Sequence, residues 1–222
     1  MTRTKPLMQA DPRLLTLMQW LSPAYPLGSF AFSHGLESAV RAGWVLDAES
    51  LENWLADLLT DGSGHNDAIL LRLAHAAPGP DALDDINATA RALSPSTERL
   101  REAERQGTAF ARVTGPVWSI DLPDLLLAVA VGRAAGLLNL DADITTMLYL
   151  QSFASNLTSA AQRLMPLGQT EAQRTLSRLA PLCQRLVTET VGAGPSDLYS
   201  NTFLSDVAAM THETLQPRLF QS

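Results

Sequence analysis

Apolar residues recur at three- and four-residue spacings along most of the chain, the period of helices with one buried face. The clearest repeat lies between Asp47, a helix-capping residue, and Gly62, a terminator, with Leu51, Trp54, Leu55, Leu58 and Leu59 in register. Before it, Asp11 and Pro12 can open a helix with Leu14, Leu15, Met18 and Leu21 on one face, stopped by Pro23 and Pro26. A loop over 22–30 leads to a short helix over 33–42, ended by Gly43. Further helices are predicted over 66–77, 81–93 and from Ser94-Pro95 to Gly115-Pro116, which should break the last of these. Its charges, Glu98, Arg99, Arg101, Glu102, Glu104 and Arg105, read as a solvated face of mixed sign.

An apolar helix should run from Pro123 to Leu138, and a long buried one, capped by Asp141 or Asp143, to Leu164. A helix over 170–190 should kink or split at Pro181, and a last helix runs from Ser200 or Ser205 toward Leu215. No stretch alternates with period two. The expectation is an all-α bundle of nine or ten helices around the long helix over 144–164, one domain over 1–222 with a partner-binding tail at 211–222. Gly132 and Gly136 have the spacing of a close helix contact, read as core packing rather than a dimer seam.

The chain of 222 residues carries a net charge of −7, and no basic patch stands out to offset it. Nucleic acid is therefore a poor partner, and a DNA-binding regulator would need a recognition helix that the glutamate-rich 98–112 segment does not provide. The charge-free run 144–162 contains nine Thr, Gln, Ser or Asn residues, which suits a buried helix better than a membrane span. With no apolar signal segment at the N-terminus, a cytoplasmic location is expected. Neither a Walker A sequence nor a dinucleotide fingerprint is present, and no G-x-S-x-G elbow. Catalytic residues, resident metal and cofactor are therefore all expected to be none. Cys183 reads as a small buried hydrophobe, and His65 and His75 as solvated side chains. An alternative keeps a small metal-binding protein or enzyme using His34, Glu37 and His212.

Two segments resemble neither core nor plain surface. The loop from Ser22 to Glu37 sets Tyr25, Phe30 and Phe32 among prolines and glycines, as a rigid aromatic patch for a protein partner would. The terminus ends in Arg218, Leu219 and Phe220 beyond Pro217. Leaving such a Leu-Phe pair in water costs about 3 to 5 kcal/mol relative to burial, so this chain or another should cover it.

These segments, Leu21-Ser-Pro-Ala-Tyr-Pro-Leu-Gly-Ser-Phe with Ser33-His-Gly-Leu-Glu37, and His212-Glu213 with Arg218-Leu-Phe-Gln-Ser222, together with Ser159-Ala-Ala-Gln-Arg-Leu-Met-Pro-Leu-Gly-Gln169, resemble the UreF family of urease accessory proteins. The likeness extends from Leu14 to Ser222. It implies an all-α homodimer without catalytic activity. It also implies a complex with UreD (also called UreH) and the GTPase UreG, which delivers nickel to the urease apoprotein. Arg218, Leu219, Phe220 and Ser222 would be tail contacts with the UreD-like partner. Phe30, Ser33, Gly35 and Glu37 would shape the dimer or a partner face. Ala31 and Phe32 stand where a serine and a tyrosine are expected, and Gln221 where a second tail arginine is common.

Overall fold

The computed structural model describes residues 12–222, so the expected Asp11 cap lies outside the described residues. Among the described residues ten α-helices follow one another: α1 Pro12–Trp20, α2 Leu36–Arg41, α3 Ala48–Asp61, α4 Ser63–Ala76, α5 Pro80–Ala92, α6 Thr97–Trp118, α7 Leu127–Leu137, α8 Ala142–Leu164, α9 Gln169–Glu189 and α10 Phe203–His212. Single 3₁₀ turns occupy Ser29–Ala31 and Pro195–Asp197, and no strand occurs among the described residues. The fold is all-α.

Local chemistry sets most helix ends. Asp47 accepts from the Ser50 amide at 2.9 Å, and the Ser50 hydroxyl caps the Asp47 amide in return. Ser96 caps α6, and Asp141, not Asp143, caps α8 by accepting from the Ile144 amide at 2.8 Å. Asp143 pairs instead with Arg72, 2.7 Å away. The helix α8 touches α9, α4, α2, α3, α7 and α1, and one continuous apolar core runs among the helices. The helices α4 and α7 lie backbone against backbone. A Cβ placed on Gly132 would stand 2.1 Å from the Leu71 carbonyl oxygen, and one on Gly136 2.2 Å from that of His75. The glycine pair therefore serves packing.

Tertiary contacts override the sequence pattern in several places. In α1 the inward residues are Leu17 and Trp20, while Leu15 and Met18 face out. The reason is the indole of Trp20, which meets Phe110 and Trp118 edge-on, each at 5.3 Å, and so fixes the helix rotation. The helix α6 does not break at Gly115-Pro116. It continues to Trp118, because Pro116 falls in the last turn and forfeits only one ladder bond. The start of α7 is Leu127 rather than Pro123. Residues 125–126 pass over Gly107 outside the helix, with Leu126 extended; a Cβ on Gly107 would lie 1.9 Å from the Leu125 carbonyl oxygen, and Asn87 takes the Leu126 amide at 2.9 Å. Pro181 does not split α9. His65 and His75 are not simply solvated: they meet the Asp197 and Leu140 carbonyl oxygens at 3.1 and 2.8 Å. Among the described residues no helix is long and apolar enough to cross a membrane.

Candidate functional site

The two unusual segments of the sequence meet. The residue Gly35 has a φ of 76° and presses against α10, where a Cβ would come within 2.6 Å of the Ala209 amide nitrogen. That close approach sets Glu37, on α2, beneath the C-terminal tail. The Glu37 carboxylate accepts from the Leu219 amide at 2.8 and 3.0 Å and from the Phe220 amide at 2.9 Å. At the other end of α2, Arg41 donates to the Gln216 and Pro217 carbonyl oxygens.

His212 is fully buried at the end of α10. Its Nδ1 lies 2.7 Å from Glu98 and its Nε2 3.4 Å from Glu37. A ring between two carboxylates donates to both only when both nitrogens carry protons. Arg218 closes the group from the tail side by pairing with Glu98.

One turn along α6, the Ser222 hydroxyl donates to Glu102 at 2.5 Å. Glu102 also faces Arg99, the Gln106 amide at 3.1 Å and His34 Nδ1 at 2.9 Å. Burial pushes its carboxyl up, but Arg99, His34 and Ser222 more than offset that and hold it at about 2. Burial, with Arg99, lowers the His34 imidazole below its usual value, against the pull of Glu102. Backbone pairing completes the dock: the Gln221 amide donates to the Ala31 carbonyl at 2.8 Å, and the Ser33 amide to that of Ser222 at 3.0 Å.

The aromatic residues divide. Phe220 is 2% exposed, with the Arg163 guanidinium 4.3 Å above its ring centre. Tyr25 and Phe32 are buried in the chain's own core, and the Tyr25 hydroxyl lies 2.7 Å from that of Thr114. The expected aromatic patch therefore reduces to Phe30, 77% exposed, and the tail adds Leu219, 55% exposed. Ser33, Gly35 and Glu37 lie inside as the tail's cradle and Ser222 is buried at the tail's own end, whereas Arg218 is at the surface. Arg105 donates to the Gln221 side chain at 2.6 Å, so a neutral acceptor suits that place where an arginine would meet like charge.

Sequence reasoning missed Glu98, Glu102 and Arg99, and read their helix face as solvated. Glu102 is instead 2% exposed. The signal was present: Glu98, Glu102, Gln106 and the fully buried Phe110 stand four apart on one face. A carboxylate on the stripe that carries the core aromatic is a buried carboxylate.

Behind Glu102 lies a cavity of about 110 Å³ lined by His34, Asn66, Asp67, Tyr149 and Phe153, among others. His34 Nε2 and Ser63 Oγ are buried beside it without a protein partner. Burial raises the Asp67 carboxyl to about 6, although Tyr149 donates to it at 2.7 Å and Arg99 opposes the rise. The folded state thus holds this proton more tightly than the unfolded chain does. Stability is lost as pH climbs from the unfolded value through about 6. Asp67→Asn keeps an acceptor for Tyr149 and removes the charge. Urea unfolding at pH 8 should show stabilisation of about 1 to 3 kcal/mol, shrinking toward zero near pH 4. A variant destabilised equally at both pH values would contradict this.

Among the described residues no three His, Cys, Asp or Glu side chains gather as a metal-ligand set. His34 faces Glu102, and His212 faces Glu98 and Glu37. Cys183 is buried, with burial pushing its thiol up to about 11.

The UreF family model matches residues 45–180. The chain belongs to the UreF family of urease accessory proteins. The UreF protein of Ruegeria pomeroyi is 47% identical over 96% of this chain and 98% of its own. That of Cereibacter sphaeroides is 50% identical over 94% and 98%, and that of a Bradyrhizobium species 41% over 95% and 92%. The family model leaves out both the 22–37 loop and the tail, yet these near full-length alignments show that the UreF likeness is not confined to the helical middle of the chain.

Proposed function

We propose that this UreF-family chain is a non-catalytic scaffold of urease maturation in the cytoplasm. In this reading it forms a homodimer and joins UreD (UreH) and UreG homologues in one complex with the urease apoprotein. It recruits the UreG GTPase and modulates it, and the complex inserts nickel into the urease active site. The tail at 211–222 is its partner-binding element. Family membership carries the reading. The docked tail supports it by turning Arg218 and Leu219 outward while Phe220 anchors them from within. An exposed leucine beside a cation, held on a rigid base, costs little further ordering when a partner binds. Phe30 offers a second exposed contact on the segment that pairs with the tail.

Deleting Arg218–Ser222 tests it. Capture of the UreD homologue, measured by titration on immobilised protein, should weaken at least tenfold. Unchanged affinity after the deletion would remove the tail from the interface.

A further inference from the structure

One interior charge has no counter-ion. Glu102 is paired with Arg99 and faces His34. Asp67, on α4, takes a hydrogen bond from Tyr149 of α8 and, among the described residues, forms no ion pair. Both carboxylates line the cavity of about 110 Å³. Arg99 and Glu102 offset one another, so above the Asp67 value of about 6 the cavity carries one negative charge.

The neighbouring polar atoms are acceptors in want of a donor. Ser63 Oγ and His34 Nε2 are buried without a protein partner, and both residues line the same cavity. Burial, with Arg99, lowers the His34 imidazole, so the ring is neutral. Its Nδ1 stands 2.9 Å from Glu102 and 2.8 Å from Arg99. Arg99 has the carboxylate to donate to, whereas the carboxylate can only accept, so the single ring proton belongs on Nδ1. Nε2 then presents a bare lone pair. Asn66 adds no donor, because its amide oxygen and nitrogen are both spent on the Tyr199 backbone.

The rest of the wall is apolar and includes Leu27, Leu70, Leu126, Phe153 and Leu157. Water would satisfy Ser63 and His34 but would leave the charge of Asp67 unmatched and the leucines facing a void. A metal ion would leave the same void, and among the described residues no ligand set for one gathers. An ammonium group matches the polar end, with three N–H donors and the opposite charge. A cavity of about 150 Å³ takes a benzene ring, so this one has room for about five non-hydrogen atoms. A smaller space of about 30 Å³ shares His34, Ser63 and Asn66 with it and is also lined by Asp206 and the exposed Ser200, which gives a cation a route in past a further carboxylate.

We propose that this cavity binds a small organic ammonium ion, its head on Asp67, Ser63 and His34 and its short aliphatic body among the leucines. The site is internal to one chain and needs neither the tail nor a partner protein.

Titration calorimetry of the full chain at pH 8 tests it, with n-butylammonium chloride as the probe. One site should appear, with a Kd of about 1 mM or tighter. The neutral isostere 1-butanol and the bodiless ammonium chloride should each bind at least tenfold more weakly. Asp67→Asn, expected above to be the more stable chain, should also weaken butylammonium at least tenfold, so the loss cannot be a loss of fold. Lowering the pH from 8 to 5 should weaken binding about tenfold as Asp67 takes up its proton. Absence of binding overturns the proposal. Equal binding of 1-butanol marks an apolar hole, equal binding of ammonium marks a plain ion site, and unchanged affinity in Asp67→Asn puts the cation elsewhere; each of these overturns it as well.

Discussion

Glu37→Ala should detach the tail. The Leu219 amide, shared between both carboxylate oxygens, and the Phe220 amide end on this one buried carboxylate, and His212 faces it from α10. Without it, two amides and the Nε2 of a buried imidazole lose their partner, while the imidazole keeps Glu98 on its other nitrogen. Each unsatisfied buried group costs about 1 to 3 kcal/mol. The tail is at the surface and can regain water by leaving, so the penalty to the whole fold is capped by what docking contributes, about 3 kcal/mol. Amide hydrogen exchange should therefore show protection at 219–222 lost by tenfold or more, while α4, α7 and α8 exchange as before. Binding to a tail-recognising partner should fall with it. Retained protection at Leu219 and Phe220 would mean that Arg163, Ser33 and Glu102 hold the tail without Glu37.

The other large effect concerns the fold. Gly132→Ala puts a methyl group 2.1 Å from the Leu71 carbonyl oxygen, a backbone atom on a fully buried helix face. No rotamer relieves that contact, so α4 and α7 must separate along their shared length. Overpacking a rigid core costs typically about 1 to 3 kcal/mol, and a backbone clash belongs at the upper end or beyond. The expected result in urea unfolding is a loss of about 3 kcal/mol or failure to accumulate as folded protein. Gly79→Ala is the matched control. Its Cβ meets open space and its φ of −170° is extended backbone, so a change under about 1 kcal/mol is expected. Equal stability of the two variants would show that α4 and α7 do not touch through Gly132.

Much of the helix inventory was legible because its causes are local. Asp47 before α3 and Asp141, one of two candidates before α8, act within four residues of the groups they cap, while the cap of α6 is Ser96 and not the Ser94-Pro95 step read as its start. The reading erred where a long-range contact outweighed a local signal. Trp20 rotated α1 toward Phe110, and Pro116 was carried inside α6. Residues 125–126 were drawn across Gly107 outside any helix. The site divided in the same way. The loop and tail were visible as segments unlike core or surface, but their roles were not, since Tyr25, Phe32 and Phe220 turned inward and, of their apolar candidates, only Phe30 and Leu219 stayed exposed.

From its own order of residues the chain determined an all-helical fold, a close contact at Gly132 and Gly136, and its family. Each follows from period, caps or motifs that neighbours in sequence carry. Only the tertiary structure decided that Glu98 and Glu102 face inward, and that the tail lies on its own chain. The hydrogen bond from Phe220 to Glu37 spans 183 residues, and that from Ser33 to Ser222 spans 189. A carboxylate's worth is set by what stands opposite it once water is excluded, and those partners come from distant parts of the chain.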